Sequence, residues 1–139
     1  MNPVMSKTIP TIQKYMTAAP HTIGSDQTLQ KAHEILRKFQ IRHLPVLRGG
    51  KLVGMVTQRD LALIETLKDV TPETILVEDA MSTEVFTVEP EALLDKVAAE
   101  MAEKKYGSVV VMQNHKVVGI FTTVDVCRAL SDLLHTRLK

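Results

Sequence analysis

A glycine, a threonine and an aspartate recur at three-residue intervals in Gly54-Met-Val-Thr57-Gln-Arg-Asp60. The same order returns sixty-five residues later as Gly119-Ile-Phe-Thr122-Thr-Val-Asp125. An apolar extended run precedes each threonine and a helical pattern follows it. Each Thr-x-x-Asp therefore falls where a short strand turns into a helix. Such a turn exposes backbone N–H groups at the positive end of a helix dipole. Amides and a hydroxyl suit phosphate, and a carboxylate accepts the two hydroxyls of a ribose, so the pattern offers nucleotide chemistry. The same spacing is also a helix cap, in which the threonine accepts from the third amide and the acid reaches back. Both roles are compatible, since a capping threonine can face a ligand. Burying such an aspartate without a ligand is costly, so an empty site is expected to leave it wet.

The elements that hold these residues are duplicated. Sliding the chain onto itself by sixty-five positions gives ten identities between residues 12–65 and 77–130, without a gap. They include Met16/Met81, Thr22/Thr87, Leu29/Leu94, Val46/Val111, Lys51/Lys116 and Gly54/Gly119. Unrelated segments of this length share only about three on composition, and the apolar register of the remaining pairs carries the fold. Ile12/Val77, Ile23/Val88, Leu36/Met101 and Met55/Ile120 keep their character.

Each repeat reads as strand, helix, strand, strand, helix. In the first, Thr22-Ile23 is extended, Ser25 and Asp26 offer a helix cap, and Leu29, Ala32, Leu36 and Phe39 follow at helical spacing. His43 to Leu47 and Lys51 to Val56 are strands joined by Gly49-Gly50, a hairpin signal. Thr57 opens a helix through Leu61, Ile64 and Leu67. In the second, Val85 to Val88 is extended and Pro90 suits a first helical turn. Leu94, Val97, Ala98 and Met101 form the next stripe. Ser108 to Met112 pairs with Lys116 to Phe121, and Thr122 opens a last helix with Val126, Ala129, Leu130 and Leu133 inward. The connector lies near Asp69 to Glu73, where Pro72 resists helix. The expected fold class is α+β, sandwich-like, with βαββα repeats at 8–70 and 73–135 packed as a pseudo-twofold pair.

Composition bounds the function. A chain of 139 residues makes one compact domain or two half-domains sharing a core. A net charge of +1 gives no sign of a nucleic-acid or membrane-surface partner. No run approaches the roughly 20 apolar residues of a membrane span, and no signal peptide is evident, which leaves the cytoplasm as the expected location. The single Cys127 has no internal disulfide partner and reads as a small buried hydrophobe.

Met16-Thr17 and Met81-Ser82, the Arg42-His-Leu-Pro-Val46 strand and both Gly-x-x-Thr-x-x-Asp elements resemble tandem CBS (cystathionine-β-synthase) domains, a pair called a Bateman module. The resemblance covers residues 8 to 132 or so. It implies βαββα repeats, frequent homodimers, and clefts for adenosine-containing ligands such as AMP, ADP, ATP or S-adenosylmethionine. It brings no effector domain, which implies a stand-alone module that signals to a separate, unidentified effector protein.

The resemblance also places residues. In the family, the positions matching Thr57 and Asp60 contact phosphate and ribose, and Thr122 with Asp125 repeat them. The residues before the Leu-Pro-Val strand reach the phosphates: Arg42 and His43 for the Asp60 cleft, Gly107 and Ser108 for the Asp125 cleft. The base slots come from the opposite repeat: Val85, Phe86 and Thr87 for Asp60, and Pro20, His21 and Thr22 for Asp125. Phe86 is equally compatible with plain core. Arg59 adds charge beside Asp60 or is a solvated helix residue; Val124 is its uncharged counterpart. A guanidinium fixed on phosphate contributes about 1.5–3 kcal/mol, so the Asp60 cleft is expected to prefer charged phosphates. The Asp125 cleft is expected to take adenosine, a less charged nucleotide, S-adenosylmethionine, or nothing.

Other chemistry is weakly supported. The five histidines lack zinc-site spacing, His33 reads as a surface or edge residue, and the seven methionines read as gap-filling core. No nucleophile–base pairing or Walker loop supports an enzyme, and no catalytic cofactor is expected. The competing reading is a dimerisation module whose clefts bind nothing.

Overall fold

A computed structural model describes residues 8–67, 69 and 71–138. The chain is α+β, with seven strands in two small sheets, five helices and a 3-10 turn at Ile12–Lys14 among the described residues. The strands are β1 Thr17–Ala18, β2 Ile23–Gly24, β3 His43–Arg48, β4 Lys51–Thr57, β5 Thr87–Val88, β6 Ser108–Gln113 and β7 Lys116–Thr122. The helices are α1 Leu29–Phe39, α2 Gln58–Glu65, α3 Val77–Ala80, α4 Leu94–Lys104 and α5 Thr123–Arg137.

The chain divides into two compact units, and the division crosses the sequence repeats. One unit holds residues 20–85 together with 114–117; the other joins the chain up to Ala19 with residues 86–113 and from Val118 onward. In the first, β2 runs parallel to β3, with Ile23 beside Val46, and β3 pairs antiparallel with β4. Its core gathers Leu29, Leu36, Leu44, Val56, Leu61 and Val77. In the second, the order is β1-β7-β6-β5. Its core gathers Ile12, Leu94, Met101, Val109, Val111 and Phe121. Ile12 and Val77, counterparts across the repeat, are both fully buried, each closing the core of the unit it joins.

Local chemistry explains the elements. Gly49 and Gly50 have φ of +57° and +80°, the two left-handed positions that a tight hairpin demands. Asn114 and His115 take the same conformation in the β6–β7 hairpin, at φ +53° and +64°. Gly54 is buried because a Cβ there would stand 2.6 Å from Met81 Sδ and 2.8 Å from the Ser82 carbonyl. Gly119 meets Met16 in the same way. The glycine that opens each motif thus admits the methionine of the segment crossing behind it.

Several expectations are corrected. The cap of α1 is Thr28, whose Oγ1 accepts from the Lys31 amide at 3.2 Å, rather than Ser25 or Asp26. Residues 24–27 form a turn closed by the Gln27 amide on the Gly24 carbonyl, which delays the helix. Pro90 likewise lies in a turn, closed by the Ala92 amide on Glu89, and α4 starts only at Leu94. In α5 the buried positions are Asp125 and Ala129, so Leu130 points outward at 57% exposure and Cys127 is exposed. Phe39 and Leu67 are also exposed. His33 is half-buried and pairs with Glu65 of α2. Among the described residues, no helix is long and apolar enough to cross a membrane.

Candidate functional site

Each Thr-x-x-Asp caps a helix and keeps its carboxylate at the strand end. In the first unit the Asp60 amide donates to Thr57 Oγ1 at 3.1 Å, and the Thr57 amide donates to Asp60 Oδ2 at 3.0 Å. The cap is the reciprocal box expected from the spacing. His43 stands opposite Thr57 in the β3–β4 ladder, and the Gln58 amide donates to the Arg42 carbonyl at 3.0 Å. Arg42, His43, Thr57 and Asp60 are therefore brought together at the N-terminal end of α2.

Arg42 and Asp60 set the charges around His43 in this cluster. Burial pushes the His43 imidazole below its ordinary range, Arg42 adds to the push, and Asp60 opposes it. Arg42 and Arg59 are exposed and make no ion pair among the described residues. Asp60 Oδ1 accepts no hydrogen bond among the described residues, so half the carboxylate is open.

The second unit brings Thr122 and Asp125 together at the start of α5. The Thr122 amide donates to Asp125 Oδ2 at 2.9 Å and its hydroxyl at 3.3 Å. Asp125 is 3% exposed, against the expectation of a wet carboxylate. Protein donors take the place of water: Thr17 Oγ1 at 3.1 Å and Arg128 Nη1 at 3.2 Å, both on Oδ1. Gly107 is exposed and Ser108, at the start of β6, is half-buried. Neither brings a cation, in contrast to Arg42 and His43.

The expected base-slot residues divide between the units. Pro20, His21, Thr22 and Val85 belong to the first, Phe86 and Thr87 to the second. His21 stacks on Phe39, with centroids 3.7 Å apart and planes at 16°. Phe86 packs against the second core and tilts against Tyr106 at 5.2 Å. Thr87 pairs with Val110 in the parallel β5–β6 ladder. Thr22 also borders an open cleft of about 460 Å³, whose Arg48 is already engaged by Glu78 at 2.9 Å and Ser25 at 3.3 Å. No cluster of metal-ligating side chains occurs among the described residues.

Thr17, Arg128 and Phe39 are the neighbours that sequence reading missed. The signal for Arg128 was present, because its counterpart across the repeat is Leu63. The signal for Thr17 was its own counterpart, Ser82. The remaining contact, Thr17 to Asp125, depends on the chain crossing that no local pattern reveals.

Two βαββα units with paired Thr-x-x-Asp caps define a pair of CBS domains. The CBS domain model matches residues 4–64 and 77–132, and the chain belongs to this family. It resembles AcuB of Vibrio cholerae at 30% identity and a TM-score of 0.83, covering 92% of this chain and 95% of that one. It resembles the CBS domain pair of MJ0100, solved with 5′-methylthioadenosine and S-adenosyl-L-methionine, at 29% identity and a TM-score of 0.81, covering 90% and 98%. CBS domain-containing protein YhcV of Bacillus subtilis is 29% identical over 82% of this chain and 81% of its own. An L-aspartate semialdehyde sulfurtransferase of Methanocaldococcus jannaschii is 31% identical over 91% of this chain. The chain spans only 24% of that enzyme's length, and 25% of an inosine-5′-monophosphate dehydrogenase of Korarchaeum cryptofilum. The shared part is a CBS region and not the body of either enzyme.

Proposed function

We propose that the chain is a regulatory module of the cytoplasm that binds an adenosine-containing ligand and signals to a separate protein. The observation that carries this reading is the Asp60 cluster. A carboxylate oxygen with no donor among the described residues lies at a helix N-terminus, where the Arg42 backbone meets Gln58 and Arg59 is in the first turn. Ribose takes Asp60, and phosphate takes the Thr57 hydroxyl, Arg42 and His43. Val85 contributes to the base slot, and Arg59 adds charge. The Asp125 side, with Gly107, Ser108 and Thr122, brings no such cation and takes an uncharged or weakly charged adenosine compound, or nothing. The ligands of the MJ0100 pair are of that chemical class. The chain itself is not an enzyme in this reading and needs no catalytic cofactor.

Thermal melting against AMP, ATP, adenosine and S-adenosylmethionine tests the reading. A ligand at about a hundred times its dissociation constant stabilises by roughly 2.7 kcal/mol, several degrees for a chain this size. Asp60→Asn should melt within about 1 kcal/mol of wild type when unliganded and lose most of that rise. A full rise in the Asn variant would reduce Asp60 to a cap and favour the second reading, a dimerisation module that binds nothing. That second reading draws on the exposed Leu63, Val124, Leu130 and Leu134 of α2 and α5.

A further inference from the structure

The duplication gives both carboxylates a bond from the N-cap threonine amide and otherwise different neighbours. Asp125 accepts from the Thr122 amide, the Thr122 hydroxyl, Thr17 and Arg128. A carboxylate offers about four lone-pair sites, so Asp125 is saturated by its own chain. Asp60 accepts from the Thr57 amide alone among the described residues. The backbone does not explain the difference. Ser82 pairs with Met55 as Thr17 pairs with Ile120, and these are equivalent positions across the repeat. Yet the exposed Ser82 hydroxyl bonds nothing among the described residues, while Thr17 reaches the carboxylate. Arg128 stands where the first repeat has Leu63, which carries no charge and is 67% exposed.

We propose that Thr17 and Arg128 determine which of the two carboxylates takes ligand. They satisfy Asp125 internally and leave Asp60 as the receiving group, so one chain binds one adenosine-containing ligand. A ribose diol at Asp125 exchanges two existing hydrogen bonds, one of them charge-assisted, for two new ones and gains little. At Asp60 the same diol meets an oxygen with no donor to displace. The segment bearing Thr17 is tied to α5 by the Tyr15 hydroxyl on Asp132 at 2.5 Å and by Arg137 on the Thr8 carbonyl at 2.9 Å. Thr17 is thus held in place by contacts along the whole helix.

This inference rests on the proposal that the two aspartates receive ribose. Calorimetric titration of the full chain with AMP, and separately with adenosine, measures the stoichiometry. Wild type should bind one equivalent, lost in Asp60→Asn and kept in Asp125→Asn. Thr17→Val with Arg128→Leu should bind two, and adding Asp125→Asn should return it to one. Thr17→Ser, which keeps the hydroxyl, should stay at one. Thr17→Val alone should show partial second-site binding and stands in if the double variant does not fold. A folded double variant that stays at one equivalent overturns the inference, as does a wild type that binds two and loses one with Asp125→Asn. If wild type binds neither probe, or Asp60→Asn binds as wild type does, the functional proposal fails instead. Amide exchange in the ligand-free double variant then decides the role of Thr17 and Arg128. Faster exchange at Ala19, whose amide bonds the Val118 carbonyl, upholds their hold on Asp125, and unchanged exchange overturns it.

Discussion

Arg42 and His43 differ in what each brings to the proposed phosphate site. Arg42 is exposed and makes no ion pair among the described residues, so in the proposed role its guanidinium is available to phosphate rather than to ribose. Arg42→Ala is expected to weaken AMP or ATP by about 1.5–3 kcal/mol, roughly ten- to hundred-fold, with adenosine little changed. Equal loss for adenosine, measured by titration, would assign Arg42 a structural role. His43 is neutral near pH 7, because burial, and then Arg42, depress its proton affinity. In the unfolded chain an imidazole titrates near about 6.5, so as pH falls the unfolded state takes up the proton first. The stability that neutral His43 contributes is therefore whole above that value and declines as pH drops below it toward the lower folded-state value. Denaturant melts at pH 7.5 and 5.5 should show wild type losing more than His43→Gln. A bound phosphate reverses the sense of the imidazole shift, so AMP binding should take up protons, readable as a buffer-dependent heat.

Strands and helices were the most legible level. The βαββα order, the Gly49-Gly50 hairpin and both threonine caps follow from periodicities of two and 3.6 and from turn chemistry. Helix phase was less legible. In α5, Leu130, Leu134 and Cys127 form a second apolar stripe beside Ala129 and Leu133, and periodicity alone does not say which one faces the core. The start of α1 was misread because Ser25 and Asp26 are good capping types, yet the backbone spends residues 24–27 on a turn and leaves the cap to Thr28. Thr28→Ala should cost about 1 kcal/mol in a denaturant melt. The glycine of each motif carries a sharper prediction. Gly54→Ala drives a methyl into Met81 and the Ser82 carbonyl, and overpacking of that kind costs about 1–3 kcal/mol. A variant as stable as wild type would mean that the crossing segment yields easily.

At the scale of the molecule, the apolar faces of α2 and α5 exceed what the cores use. Leu63, Val124, Leu130 and Leu134 are each at least half exposed. The expected assembly is a twofold homodimer through these faces, with an interface of at least about 1,200 Å² in total. Sedimentation at tens of micromolar should show a dimer, and Leu130→Glu with Leu134→Glu a monomer; a monomeric wild type rules the assembly out. The crossing of the chain between units has a consequence in time. Strand β1 pairs with Gly119 and Ile120, and the Thr17 hydroxyl finds Asp125 across 108 residues. On the ribosome β1 leaves first, and at about 5–20 residues per second its partner strand follows many seconds later. The segment from Pro20 to Val85 holds the whole first core and can close while β1 still lacks its partner strand. The half that carries the open carboxylate is therefore ready before the half that carries the closed one. Pairing of β1 must wait until Lys116–Thr122 has been made, a contact of long sequence separation.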